Sequence, residues 1–375
     1  MTMGGKIRTG LRRCLAAGLA VCLLAALPAA AADFDNPYSA YAQANQPLSE
    51  QAGTATAVFA PDGLGAGAQR GAYGGRQDVA VLAEAGASVT FAVQVSADGL
   101  YAIVPEYTGC LETDKTIKMG LQIDGAQPFF EAGELELPRC YENATNDFET
   151  DALGNELRPE QRQCVYWQQT PFFQEKVGTN APYYFHLTAG AHTVELTAKN
   201  GGVAVAGLTL TGVQALRSYA DYAAEYGNQP VGADEPLILQ GEKAVRKSDI
   251  SLYPTTDRTS CATQPFSESQ TRLNTIGGSN WSNPGQWLEW ELDVQTTGLY
   301  RIDLRVRQNA NQGMRCYRKI LLDGAVPFAE LEQYGFAYRR SWYIDTLSDE
   351  AGKPFDLYLE AGHHVLRMEV TAGSL

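Results

Sequence analysis

Histidine is scarce. The 375-residue chain holds four, His186, His192, His363 and His364. No H-E-x-x-H, G-x-S-x-G or phosphate-binding loop occurs, no Cys-x-x-Cys is present, and the Cys/His spacing matches no zinc site. These absences remove the commonest hydrolase, nucleotide-binding and zinc readings, and the expectation is a protein that is not an enzyme. Positive charge is also short: 29 Lys and Arg face 43 Asp and Glu, a formal net charge of -14. A basic nucleic-acid surface is excluded as the main role, and an anionic lipid surface suits the chain no better. Beyond residue 32 no apolar run approaches the roughly 18 residues that span a bilayer.

What is present begins with a leader. Lys6, Arg8, Arg12 and Arg13 precede a short apolar stretch, "CLAAGLAVCLLAAL", and an Ala-x-Ala site near Ala32. Residues 1–32 have the form of a secretory signal peptide, so a secreted or cell-surface location is expected. Lipoprotein anchoring fits less well, because Val21 stands where a small residue is wanted. Removing the four positive charges takes the formal charge from -14 to about -18. Five cysteines remain: Cys110, Cys140, Cys164, Cys261 and Cys316. Export permits disulfides. Cys140 with Cys164, and Cys261 with Cys316, could pair; buried or unpaired thiols are the equal alternative, and an odd count leaves at least one over.

The chain says several things twice. "VSADGLYAI" (95–103) aligns with "VQTTGLYRI" (294–302), and "LQIDGAQPFF" (121–130) with "LLDGAVPF" (321–328), at one constant offset of 199 residues. "FHLTAGAHTVEL" (185–196) matches "LYLEAGHHVLRM" (357–368) at offset 172, so the first copy carries an insertion. Upstream, "PYSAYAQ" (37–43) resembles "SYADYAA" (218–224), a short helix before each copy. A unit this long is a duplicated domain and not a solenoid repeat. Within each copy, apolar or alternating segments such as "SVTFAVQV" and "WLEWELDV" are bounded by Gly, Asp and Asn, the pattern of short strands. Asp-Gly favours a tight hairpin, and the Phe after it plugs the core. The expectation is an all-β chain of two jelly-roll β-sandwiches in tandem. Their bounds are 33–214, with an insertion about 130–180, and 237–375, with a short helix and linker over 215–236.

The second copy resembles the carbohydrate-binding modules of the galactose-binding-like superfamily, of the family 6 and family 35 type. The resemblance is carried by "LILQGEKA" (237–244), "NPGQWLEWELDVQTTGLYRIDLRVR" (283–307), "ILLDGAVPF" (320–328) and "FDLYLEAGHHVLRMEV" (355–370). With "DALGNELRPEQ" (151–161) and "PFAELEQYGFAY" (327–338), the tandem also resembles the N-terminal region of large extracellular solute-binding proteins of bacterial ABC transporters. This implies capture of an oligo- or polysaccharide, with transporter subunits as further partners through a C-terminal region beyond this sequence. "GGVAVAGLTLTG" (201–212) is a closing strand for the first copy. The second shows no counterpart, so a truncated product or fragment is expected.

Sugar sites on sandwiches need exposed rings for C–H stacking and nearby amides or carboxylates. The polar loop "GGSNWSNPGQW" (277–287) supplies Asn280, Trp281 and Asn283. Trp281 is a ligand platform or a cover for the sandwich edge; at offset 199 the first copy has Leu82 there. Tyr338 and Trp342 are further candidates, as are Tyr166 and Trp167 in the insertion, where packing is the competing role. Trp287 and Trp290 lie on a strand and belong to the core. The resemblance places a structural calcium ion near Glu242, against an exposed strand glutamate; no other cofactor is required. The run 142–156 fails the EF-hand test, with Ala152 and Arg158 where Gly and Glu are needed, and suggests a solvated loop. His192 and His364, at one turn-to-strand place in both copies, suit a structural hydrogen bond. The rival function is a structural or adhesion scaffold that binds protein, and a glycoside hydrolase accessory region is a weaker one.

Overall fold

The computed structural model describes residues 36–45, 53–111, 113, 115–174, 181–213, 215–310 and 312–372. The leader lies outside them. Among the described residues no helix is long and apolar enough to cross a membrane. The chain is mostly β-strand, as its alternating segments require.

In the first copy eight strands form one path: Gln168–Gln169, Gly99–Gly109, Val203–Gly212, Thr54–Leu64, Ser88–Val95, Gly190–Ala198, Ile117–Ile123 and Leu135–Leu137; Tyr184–Leu187 pairs with Gly99–Gly109 off this path, and Ala68–Tyr73 joins Arg76–Leu82, which pairs with Val203–Gly212. Thr54–Leu64 serves two layers. Its first residues pair with Val203–Gly212 and its later ones with Ser88–Val95. Between the layers lie Phe91, Ile103, Tyr107, Phe129, Phe185 and Leu210, all buried.

The second copy has its own core around Leu288, Trp290, Ile320, Phe328 and Phe355. Trp287 and Trp290 are buried as expected, the latter donating its indole N–H to Gly241 O at 3.0 Å. Its main sheet runs Tyr334–Phe336, Cys316–Leu322, Gly362–Thr371, Trp287–Val294 and Arg246–Lys247, and then continues into Tyr141–Asn143 and Gln161–Gln163. Those last two strands come from the insertion of the first copy. Its second layer is reduced to two separate pairs, Gly298–Tyr300 with Leu357–Leu359 and Asp303–Val306 with Tyr343–Thr346.

The repeated phrase has a structural meaning. Asp124 and Gly125 have φ of 51° and 78°, and Asp323 and Gly324 have 51° and 80°, two left-handed residues in succession as a type I′ hairpin requires. The aspartate then ties the hairpin to the neighbouring strand. Asp124 Oδ1 accepts the N–H of Thr193 and Oδ2 faces His192 Nδ1 at 2.7 Å. Asp323 does the same with Val365 and His364, also at 2.7 Å. The second nitrogen of each ring faces a carbonyl, Thr188 O or Glu360 O. Both histidines are therefore held in structural hydrogen bonds.

The helices α1 (Tyr38–Ala44) and α2 (Tyr219–Tyr226) dock on the same phrase. Ser218 and Asp221 form a capping box that starts α2. Phe129 meets the rings of Tyr38 and Tyr41, and Phe328 those of Tyr219 and Tyr222. The tyrosine hydroxyls then accept strand N–H groups: Tyr184 and His186 donate to Tyr38 and Tyr41, Asp356 and Tyr358 to Tyr219 and Tyr222, at 2.7–3.0 Å. A helix too short to persist alone is held by its tyrosines.

Candidate functional site

The loop end of the second copy is organised by the segment 255–275. Thr255 and Thr275 bridge its base. Asn274, buried, donates its amide to Asp257 O and Pro265 O, both at 2.9 Å, and accepts from Asp257 N–H, so the loop is pinned from inside.

On one side of this loop stands Trp342. Its indole N–H donates to Asp257 Oδ1 at 3.1 Å, and the Arg307 guanidinium lies 4.9 Å from the ring centroid while pairing with Asp257 Oδ2 at 2.6 Å. Asp257 is buried. Burial alone would raise its pKa, but hydrogen bonds from Thr259 and Trp342 and the charge of Arg307 hold it below the ordinary carboxylate value. The result is an ionised carboxylate that fixes a partly buried tryptophan. Tyr343 and Arg339 adjoin it, the cation 4.6 Å from the ring centroid, and Gln308 is tied to Met314 O. Tyr338 is half-buried near this group, and its hydroxyl accepts from Arg340.

On the other side of the loop is a cleft of about 600 Å³ lined by Asp147, Phe148, Glu156, Gln240, Glu242, Lys243, Gln264, Pro265 and Leu273. It is built jointly: Asp147, Phe148 and Glu156 belong to the insertion of the first copy. Glu242 is 2% exposed, not on an open strand, and burial pushes its pKa up to about 7. Glu156 accepts the N–H of Leu273 at 2.6 Å and pairs with Arg272. Asn155 Oδ1 accepts from Thr271 N–H. The run 142–156 is thus not merely solvated; its last residues are part of the joint between the copies. That engagement depends on a partner segment more than a hundred residues away, which a local acidic pattern does not announce.

The remaining candidates lie elsewhere. Trp281 is half-buried against the second core. The Arg318 guanidinium lies 4.2 Å from its ring centroid, Gly277 approaches its edge, and its N–H is donated to Gln286 O at 3.1 Å. The geometry is that of an edge cover, and Leu82 at the matching position is fully buried. Asn280 ends the short turn Gly278–Asn280, and Asn283 is exposed with its N–H donated to Gln286 Oε1. Trp167 packs on the first copy, donating to Gly74 O with Arg76 near its ring. Tyr166 points the other way, into the second copy, where Arg246 lies 4.3 Å from its ring centroid and its hydroxyl is 3.5 Å from Glu289. The two neighbours in sequence serve different copies.

Tyr166 borders an ion-pair cluster of the second copy that the sequence reading missed. Glu289 is buried, with Arg246 on one carboxylate oxygen and Arg367 on the other, both at 2.7 Å. Beside it Lys247, fully buried, donates to Asn143 Oδ1 at 2.5 Å, and burial pulls its pKa down to about 7. Cys140 and Cys164 flank this point with sulfurs 2.9 Å apart. No sulfur–sulfur bond joins Cys261 to Cys316; the first is exposed and the second lies on its strand opposite Phe336.

No family model matches the chain, and no curated protein does. Solved structures of similar shape include a family 35 carbohydrate-binding module from Clostridium thermocellum, 15% identical, covering 42% of this chain and 96% of that one with a TM-score of 0.28. Another is the C-terminal family 6 module of a laminarinase from Zobellia galactanivorans, at 12% identity, 42% and 98% coverage and a TM-score of 0.25. A third is an isomalto-dextranase from Arthrobacter globiformis complexed with panose, 20% identical, covering 42% of this chain and 23% of that one with a TM-score of 0.27.

Proposed function

We propose that the chain is a non-catalytic carbohydrate-binding protein and that the loop end of the second copy takes the sugar. The observation that carries this reading is the partly buried Trp342, held by Arg307 and by Asp257, a residue of the loop that also walls the cleft. A pyranose offers an apolar C–H face and a rim of hydroxyls. A fixed indole suits the first, and planar carboxylate, amide and guanidinium groups suit the second. Preorganisation by Asn274 lowers the ordering cost of binding.

Calcium, if used, centres on Glu242. Among the described residues no group of three His, Cys, Asp or Glu side chains is placed to hold a metal, so carbonyl and amide oxygens would complete the shell. Secretion, and a role as the recognition end of an ABC-type sugar-uptake system, belong to the same proposal and rest on the leader and on the sequence resemblance.

The test is a glycan array followed by calorimetry on the best hit. Trp342→Ala should weaken binding by about 10- to 100-fold, as expected when an aromatic anchor is removed, while Trp281→Ala leaves affinity unchanged. Binding indifferent to Trp342→Ala moves the site elsewhere. Failure to bind any glycan favours the protein-binding scaffold, for which the shared sheet is the supporting feature. Release of product from labelled oligosaccharides would overturn the non-catalytic reading.

A further inference from the structure

A fully buried lysine ordinarily has a carboxylate beside it. Lys247 has none among the described residues. It is 0% exposed, it forms no ion pair, and the one hydrogen bond of its side chain goes to Asn143 Oδ1 at 2.5 Å. The ionisable groups that face it are the thiols of Cys140 and Cys164. Desolvation favours the free amine over the ammonium, and the pKa falls to about 7. A desolvated, neutral lysine is a nucleophile.

The strands bring this nucleophile to an amide. Lys247 pairs with Tyr141, and Asn143 lies two residues further along that strand on the same buried face. A carbonyl bond is about 1.2 Å long, so a nitrogen 2.5 Å from Oδ1 lies within about 3.7 Å of Cγ, close to a near-attack contact. The amide is held at both ends. Gln161 Nε2 donates to the same Oδ1 at 2.9 Å, and Asn143 Nδ2 donates to Asn146 Oδ1 at 2.7 Å. Gln161 Oε1 is buried and has no partner.

We propose that Lys247 and Asn143 join in an intramolecular isopeptide bond, a self-made modification that ties the second copy to the insertion of the first. The amine attacks Cγ. The Nζ–Cγ bond forms, and negative charge develops on Oδ1, where the Gln161 amide already donates. One Nζ proton passes to Nδ2, with the thiols that face Lys247 as its relay. The Cγ–Nδ2 bond then breaks and ammonia leaves, with Gln161 Oε1 free to accept one of its N–H groups. No oxidant, reductant or co-reactant takes part. Burial keeps out the water that would compete for Cγ. The joint so reinforced is slight: Lys247↔Tyr141 is the single residue pair between the two strands.

Tryptic mapping of the reduced and alkylated full chain tests this. The expected finding is a branched peptide that joins Asn143 to Lys247 and is lighter by one ammonia than its two parts. A protease site placed in the linker 227–236, once cut, should leave two pieces that run as one band under reducing, denaturing conditions. Lys247→Arg keeps a donor for Asn143 but loses the nucleophile, and should give two bands. Gln161→Ala should slow bond formation by about 100-fold, the loss expected for one oxyanion donor. A wild-type digest that holds Lys247 and Asn143 only in separate peptides, after prolonged incubation of the folded chain, overturns the proposal without recourse to any variant. A single band that persists in Lys247→Arg overturns it as well.

Discussion

The two copies of the repeat are fastened alike and extended differently. Each has a hairpin clamped by an Asp–His pair, a phenylalanine under a tyrosine-bearing helix, and two tyrosine hydroxyls on the same pair of strand N–H positions. The first copy closes itself with Val203–Gly212. The second has its sheet lengthened at the opposite end by strands lent from the first. What duplication preserved is the fastening of local elements. What differs among the described residues is the pair of strands that the first copy lends to the second, and the loop between those strands walls the cleft.

The largest blow to this comparison is Glu289→Ala. It leaves Arg246 and Arg367 facing each other in a buried site, and should cost about 3–5 kcal/mol, the range for removing one partner of a buried ion pair. Calorimetry should show the second copy melting earlier than in the parent chain; an unchanged melting temperature would show that the second copy does not depend on this cluster. Next is Cys140 with Cys164, which bracket the lent strands. Under oxidised glutathione the pair should bond, with a mass loss of two hydrogens, and the double serine variant should lack a stabilisation of about 3 kcal/mol for a loop of that length. No difference between oxidised and reduced melting would remove the staple.

Smaller effects test the shared fastenings. Tyr41→Phe and Tyr222→Phe each leave a strand N–H without its acceptor, and each should cost about 1 kcal/mol. Unequal losses would mean that the two docks are not equivalent. Smallest is a pH effect. Burial lowers the pKa of His192 and His364, but the hydrogen bonds to Asp124 and Asp323 outweigh it and the net shift is upward. A raised histidine pKa contributes stability that is full below its unfolded value and is lost as pH rises through the folded one. Asp124, net lowered against the opposing effect of burial, contributes above its unfolded value and loses that as pH falls. The His192 clamp should therefore be firmest at mildly acidic pH, the His364 clamp should weaken as pH rises, and these half-exposed pairs should contribute only about 0.5 kcal/mol. Melting temperature should fall slightly from pH 6 to 8, and Asp124→Asn and Asp323→Asn should each remove part of that slope.

Much of the fold was legible because its signals are local. Asp-Gly sets the hairpin, the Tyr-x-x-Tyr spacing marks both helices, and constant offsets expose the duplication. The buried Trp287 and Trp290 follow from their strand. The lent strands were not legible, because Tyr141–Asn143 and Gln161–Gln163 are three residues each and their pairing is decided by Lys247, a hundred residues away. The candidate site shows the same limit. Sequence favours Trp281 over Trp342; in the structure both are partly buried beside an arginine, and the difference is that Trp281 packs on the second core while Trp342 is tied to Asp257. Glu242, placed by resemblance, turned out to be buried in a cleft whose far wall belongs to the other copy.

The sheet that crosses from one copy into the other also bears on inheritance. Two domains joined by a linker can be shuffled, and genomes commonly trade such units one at a time. Here a cut at the linker would carry off Tyr141–Asn143 and Gln161–Gln163 and leave Lys247 buried against nothing. A sheet built from both halves ties them into one transferable unit.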